Sequence, residues 1–220
     1  MHSKNFLNIN KIFYIFISSF SLISIYIKNF DIDESIRTLL FFSVITIIFE
    51  ILYKFLTSFV ISSELKGKNF DFGSYEGHLF SKKNKFKVLS IFALIFYSII
   101  SVVLTHLTVV LFGAYVVQDF ESTLVFSFLV ASLVFIRPLI KFGTSAVIAV
   151  CEDWNWSNSS QVQGSFVLFG VWLGTFVIPL DWDRPWQVWP IPCAVGGLVG
   201  ELAASFALLL NSFGKEKKVI

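Results

Sequence analysis

The stretch VLSIFALIFYSIISVVLTHLTVVLF, residues 88–112, contains no Asp, Glu, Lys or Arg. A helix of about 20 mostly apolar residues is long enough to cross the hydrocarbon layer of a bilayer. Because lipid offers no hydrogen-bond partners, a continuous apolar run of this length satisfies its backbone groups as a helix. The sequence therefore predicts a membrane-spanning helix over residues 88–112.

Five further stretches support the same interpretation of the chain. They are residues 12–27, 38–61, 122–140, 164–180 and 188–210. The longest segment between predicted spans, residues 62–87, is shorter than an ordinary folded domain. We therefore expect one domain over residues 1–220: an all-α polytopic membrane helix bundle of about six transmembrane helices, with no soluble domain.

Composition agrees with a membrane protein and excludes several other classes. The chain is 55% hydrophobic and 15% charged, whereas soluble domains carry roughly 25% charged residues. A formal net charge of +2 gives no ground for a nucleic-acid partner. The three histidines are scattered, so we predict neither a metal site nor a cofactor. The sequence contains no nucleophile elbow or phosphate-binding loop, so no catalytic residue is assigned.

The distribution of basic residues predicts the orientation of the bundle. With the N-terminus in the cytosol, the cytosolic segments of a six-span chain carry 13 Lys and Arg, and the opposite segments carry three. Since basic residues accumulate in cytosolic loops, we expect both chain ends in the cytosol. This count places Arg137 in a cytosolic loop. Residues 137–151 are still rather apolar, and we expect them to form an amphipathic or half-inserted segment. The alternative is a seventh, short pass, which would move the C-terminus to the other side.

Three ionisable residues lie at membrane depth, away from the ends of the predicted spans, namely Glu50, Lys54 and Glu201. Charges at membrane depth are costly and are candidates for function. Glu50 and Lys54 are four residues apart on one helix face and can neutralise each other. Glu201 has no evident partner, so either its carboxyl is protonated or it pairs with Lys54 across the bundle. A lipid or solute transporter that uses these three residues therefore stays open as an alternative function.

The loop between the last two spans is rich in Trp and Pro: residues 178–193 read IPLDWDRPWQVWPIPC. In the six-span topology this loop faces the lumen, where Trp side chains suit the membrane interface. A guanidinium can hold a phosphate, and carboxylates can accept hydrogen bonds from sugar hydroxyls. The loop is either a braced turn or a contact for a partner or glycolipid. The candidate contact residues are Asp181, Trp182, Asp183, Arg184, Pro185, Trp186, Gln187, Trp189 and His106, which lies near the same face.

Small residues recur at helix-contact spacing in the last two predicted spans. Gly170 and Gly174 form a Gly-x-x-x-Gly pattern, and Gly196, Gly200 and Ala204 continue the spacing in the final span. Such faces allow helix backbones to approach closely. We predict that the two spans pack against each other through these residues, with contact to another protein as the alternative.

The chain ends in Lys217-Lys218-Val219-Ile220. Two lysines at the third and fourth positions from a cytosolic C-terminus match the dilysine retrieval signal of endoplasmic-reticulum membrane proteins. A receptor reads such a signal, which does not itself anchor the chain. The alternative is a basic tail that only enforces the topology.

The Trp-rich loop resembles the C-terminal motif of the PIG-F family. The resemblance covers residues 172–174 and 178–191, Cys193 and the glycines that follow, with weaker similarity over residues 106–114 and 121–124. It implies a membrane protein of glycosylphosphatidylinositol (GPI) anchor biosynthesis in the endoplasmic reticulum. Family members are non-catalytic subunits that bind and stabilise ethanolamine-phosphate transferases.

The resemblance also implies the partners. They are the large catalytic subunits, PIG-O-like and PIG-G-like, which transfer ethanolamine phosphate from phosphatidylethanolamine to mannose residues of the glycolipid on the lumenal side. Membrane lipids, with the GPI glycolipid as a candidate, complete the expected partners. The intramembrane residues Glu50, Lys54 and Glu201 belong to no pattern of the family.

Overall fold

The computed structural model describes residues 2–64, 88–114, 117–146, 155–156, 158–180 and 182–217. Within these ranges the chain forms helices and no strands. This architecture confirms the predicted all-α fold class.

Six long helices make up the described parts of the chain, and we number them in chain order. They are α1 (His2–Ile27), α2 (Ile32–Glu64), α3 (Val88–Leu111), α4 (Phe120–Phe142), α5 (Ser159–Thr175) and α6 (Ile191–Lys217). Short 3-10 turns follow α4 at Gly143–Ser145 and precede α6 at Pro185–Gln187.

Five of these helices are long and apolar enough to cross a membrane: all except α5. Helix α5 has 17 residues, so it is about 26 Å long at a rise of 1.5 Å per residue. It begins at residue 159, five residues before the predicted start at residue 164. It ends at residue 175, five residues before the predicted end at residue 180. The polar residues at its start are buried in protein, and the Asn158 side chain accepts a hydrogen bond from Ser160 N at 3.2 Å. Hydropathy does not detect a helix start of this kind, because the polar side chains avoid lipid.

Helix α4 lies at the centre of the bundle and α3 at its edge. In the most apolar stretch of α4, 83% of the residues are buried, against 11% in α3. Helix α4 also contains a π-helical turn at Ser132–Ile136, where Arg137 N donates to Ser132 O. Pro138 follows directly, and a proline inside a helix lacks the N–H donor and crowds the carbonyl four residues earlier. The wider turn accommodates this ring within one continuous helix.

Helices α5 and α6 pack with their backbones in direct contact. Gly170 lies against the backbone of Gly196, and Gly174 lies against Pro192 and Cys193. A Cβ atom at either position would overlap the backbone of the facing helix. Gly200 makes the same contact with the backbone of Phe166, and Ala204 is buried beside Val162 and Leu208. The small residues singled out in the sequence therefore face one another within the chain.

Contacts between helix ends place the start of α1 and the last turns of α6 at the same end of the bundle, here called end A. Lys11 Nζ donates to Leu208 O at 3.2 Å, and Ser212 Oγ lies 3.1 Å from Asn8 Oδ1. Lys141 Nζ, near the end of α4, lies 3.3 Å from Ser159 Oγ at the start of α5. The loop between α5 and α6 lies at the opposite end, here called end B.

This geometry corrects two sequence interpretations of residues 137–151. Arg137 is not a loop residue, because helix α4 continues to Phe142. Residues 137–142 are also not a separate pass, because they extend α4 to end A, where α5 begins. Residues 147–151 lie outside the described parts of the chain.

We predict that Gly170→Ala lowers the free energy of unfolding of the bundle by about 1–3 kcal/mol, because the added methyl group meets backbone that cannot move aside. Thermal unfolding of the purified chain in mild detergent measures the change. Gly164→Ala on the same helix is the matched control, since its Cβ would lie 3.6 Å from the Val134 side chain, an ordinary contact. Equal stability of the two variants would contradict the packing described above.

Candidate functional site

The loop at end B is braced from inside by Gln187. Its side chain is buried, its Nε2 donates to Val177 O at 3.0 Å and also to Leu180 O, and its Oε1 accepts from Arg184 N at 3.1 Å. One amide side chain therefore satisfies three backbone groups of the loop. Each of these hydrogen bonds contributes roughly 0.5–1.5 kcal/mol to the stability of the loop.

Trp189 fastens the loop to the central helix. Its Nε1 donates to Thr123 Oγ1 at 3.0 Å, and its ring meets the ring of Phe126 edge-on at 5.2 Å. Thr123 and Phe126 belong to the first turns of α4. Trp189 is therefore an anchor, and it differs in this respect from the tryptophans at the tip of the loop.

The tip of the loop presents exposed aromatic and charged side chains. Trp182, Asp183, Arg184 and Pro185 are exposed, and the rings of Trp182 and Trp186 meet edge-on at 5.7 Å. Asp183 has a φ of 45°, a left-handed conformation that Asp tolerates better than most residues. Asp181, a further candidate from the sequence, lies outside the described residues. The described candidates in the loop thus form two groups. Gln187 and Trp189 hold the loop through their hydrogen bonds, whereas the residues at the tip are exposed.

His106 connects to the loop through α4. Its Nδ1 lies 3.3 Å from Ser127 Oγ, and its ring meets Phe120 edge-on. Ser127 Oγ donates to Thr123 O at 2.7 Å, so its single proton is used and His106 Nδ1 is the donor to Ser127. Thr123 is also the residue that holds Trp189. His106 is therefore connected to Trp189 of the loop through Ser127 and Thr123 of α4.

Of the two lysines that form the candidate retrieval signal, the structure describes one, which lies at end A. Lys217 is the final residue of α6, and Lys218 lies outside the described residues.

A buried ionic cluster, which the sequence interpretation missed, lies inside the bundle. Arg137 Nη1 donates to both carboxylate oxygens of Glu201, at 3.0 and 3.1 Å, and Arg137 Nε lies 3.6 Å from Glu50 Oε1. The guanidinium carbon stands 3.8 Å from the centre of the Tyr14 ring, and the Tyr14 hydroxyl donates to Glu50 at 2.7 Å. Gln163 Nε2 and Ser205 Oγ each lie 3.3 Å from Glu201 Oε1. We call these six residues the Arg137 cluster.

The cluster draws side chains from five helices and is buried away from bulk solvent. Among the described residues it takes Tyr14 from α1, Glu50 from α2, Arg137 from α4, Gln163 from α5, and Glu201 with Ser205 from α6. The Arg137 side chain is 2% exposed and that of Glu201 is fully buried. Leaving one of these charges without its partner at so buried a position is strongly destabilising. The cluster therefore selects the arrangement in which all five helices close around Arg137.

The Arg137 cluster corrects the predicted pairings of the intramembrane residues. Glu50 and Glu201 both face Arg137, whereas the sequence suggested Lys54 as their partner. Lys54 Nζ donates instead to Ile140 O on α4. Ile140 is in the last turn of α4, where carbonyl groups lack intrahelical donors and attract cations. One feature of the sequence could have indicated that Arg137 is buried: it lies within an apolar run that continues to Phe142.

We predict that Arg137→Met lowers the free energy of unfolding by about 3–5 kcal/mol, because it leaves two buried carboxylates without a counter-charge. Arg37→Met is the matched control. Arg37 is 75% exposed and pairs with Glu34 at the surface of end B, so its loss changes stability little. Thermal unfolding in mild detergent and the amount of protein that accumulates in membranes measure both variants. Equal behaviour of the two variants would show that the cluster is not needed for the fold.

Comparison with known proteins assigns this fold to a family. The chain matches the GPI biosynthesis protein family Pig-F over residues 17–208, a range that includes helices α2 to α5, the loop at end B, the second part of α1 and most of α6. No solved structure matches the chain.

Curated relatives with related names occur in animals and fungi. The "GPI ethanolamine phosphate transferase, stabilizing subunit" of Mus musculus is 34% identical over 116 residues, which are 48% of this chain and 51% of the relative. The "Glycosylphosphatidylinositol anchor biosynthesis protein 11" of Candida albicans is 33% identical over 128 residues, 54% of this chain and 48% of the relative. The Saccharomyces cerevisiae protein of the same name is 60% identical over 37 residues, 17% of each chain.

The chain spans about half the length of the first of these relatives. The family match is broader, because it extends over most of the sequence and over all six helices. On this match, the chain belongs to the GPI biosynthesis protein family Pig-F.

Proposed function

We propose that this protein is a non-catalytic membrane subunit that binds and stabilises an ethanolamine-phosphate transferase of GPI-anchor biosynthesis. The observation that carries the proposal is the family match over residues 17–208, together with relatives named as the stabilizing subunit of that transferase. The alternative of a lipid or solute transporter finds no support in these relatives. Glu50 and Glu201, two of the three residues on which that alternative rested, face Arg137 in the closed core.

In this proposal the partners are the large catalytic subunits, PIG-O-like and PIG-G-like. They would transfer ethanolamine phosphate to mannose residues of the glycolipid at the lumenal face of the endoplasmic reticulum. End B would face the lumen and end A the cytosol, in agreement with the excess of Lys and Arg in the segments assigned to the cytosol. Lys217 and Lys218 would then serve as the retrieval signal.

The braced loop is the surface we assign to the catalytic subunit. Its tip exposes Trp182, Asp183 and Arg184, and Trp and Arg are the residue types that dominate binding energy at protein interfaces. Gln187 and Trp189 hold the loop before a partner binds. Little conformational entropy would therefore be lost on association, which favours affinity.

We predict that Trp182→Ala and Arg184→Ala each lower co-purification of the catalytic subunit several-fold, and that transfer of ethanolamine phosphate falls in proportion. Both side chains are exposed at the tip of the loop, so their removal takes away contacts with the partner. The fold itself depends on other residues, so we expect it to be retained. Pull-down of the tagged chain from mild detergent measures assembly, and transferase activity is measured in the same membranes.

Trp156→Ala is the matched control for Trp182→Ala. The two tryptophans are 52% and 55% exposed and lie at opposite ends of the bundle. Normal co-purification with lost activity would assign the loop to the substrate instead of the catalytic subunit. Absence of a large transferase from the unsubstituted complex would overturn the proposed function itself.

A further inference from the structure

Three side chains of the Arg137 cluster keep polar atoms that no protein group satisfies. Among the described residues, Glu50 Oε2, Arg137 Nη2 and Gln163 Oε1 are buried and have no hydrogen-bond partner, and Arg137 Nε makes only the 3.6 Å ion-pair contact. All three residues belong to one connected network, because Arg137 and Gln163 both contact Glu201 and Arg137 also faces Glu50. Four of the eight buried unpaired side-chain atoms among the described residues therefore belong to this one network, and the other four lie on residues outside it.

Such unpaired atoms are expensive at this depth. A buried polar group without a partner costs roughly 1–3 kcal/mol, and more when it is charged. In lipid the cost cannot be relieved by exposure to solvent. A small ligand that satisfies these atoms would therefore stabilise the closed arrangement of the five helices.

The chemistry of the three groups limits what the ligand can be. Arg137 Nη2 is a donor, whereas Glu50 Oε2 and Gln163 Oε1 are acceptors. A metal cation would be repelled by the guanidinium, and an anion would be repelled by the two carboxylates of Glu50 and Glu201. A neutral molecule that both accepts and donates hydrogen bonds suits the whole set, and buried waters commonly make about three such bonds.

We propose that the Arg137 cluster binds buried water within the membrane-spanning core. One water molecule accepts a hydrogen bond from Arg137 Nη2 and donates to Glu50 Oε2, to Gln163 Oε1 or to both. This site serves the fold and does not depend on the proposed function. The bound water adds hydrogen bonds for the atoms that the direct contacts of Arg137 with Glu201 and Glu50 leave unpaired.

Radiolytic labelling tests the proposal directly. X-ray pulses split bound water into hydroxyl radicals, which hydroxylate the side chains that touch that water. Tyr14 is fully buried, but its ring lies against Arg137 and its hydroxyl bonds to Glu50. Phe42 on α2 and Phe126 on α4 are equally buried aromatic controls outside the cluster.

The experiment uses the full chain, in mild detergent, with any subunits that co-purify. We expect hydroxylation of Tyr14 to exceed that of Phe42 and Phe126 several-fold, and the controls to report any opening of the bundle. Labelling of Tyr14 at the level of the two phenylalanines would overturn the proposal. A high-resolution map provides a second measurement: we expect a peak at about 2.7–3.2 Å from Arg137 Nη2. Direct contact between Arg137 Nη2 and Glu50 Oε2, with no peak between them, would also overturn it.

Discussion

The contact between Arg137 and Glu201 is the interaction on which the rest of the bundle depends. Helices in lipid gain little from apolar contact with each other, because the lipid tails are equally apolar. Close backbone packing and polar contacts must therefore determine which helices associate. Arg137 supplies the strongest polar contact, since a guanidinium that faced hydrocarbon would be far more costly than one that meets two carboxylates. The glycine contacts between α5 and α6 allow the backbones of these two helices to touch.

Helices α4 and α6 connect the buried core to the loop at end B. Helix α4 carries Arg137 in its second half and the residues that seat Trp189, Thr123 and Phe126, in its first turns. Helix α6 carries Glu201 and begins two residues after Trp189. The position of the loop is thus tied to the same two helices that the ion pair joins. A partner that recognises the loop tip would thereby recognise the closed bundle.

The sequence was sufficient to predict the class of fold and the location of most helices. Apolar length reveals α3, for example, because its sequence is apolar along its whole length and few of its residues are buried in the bundle. The start of α5 was not predicted, because glutamines and serines are typical of loops in a sequence. Only the packing of neighbouring helices shows that these residues are helical and buried. The buried position of Arg137 was missed for a related reason. A basic residue near the end of an apolar run is typical of a cytosolic loop, and the two carboxylates that Arg137 contacts lie on other helices. Gly-x-x-x-Gly spacing, by contrast, indicates a close backbone contact from local sequence, and the structure shows that the contact is between α5 and α6.

A double-mutant cycle between Arg137 and Glu201 tests the central claim most directly. Unfolding free energies in mild detergent are compared for Arg137→Met, Glu201→Gln, the double variant and the unsubstituted chain. If the two side chains act as one unit, the double variant loses less stability than the sum of the single variants, with a coupling energy of about 1–3 kcal/mol. Additive losses would contradict the account, because they would mean that each residue stabilises the bundle independently of the other.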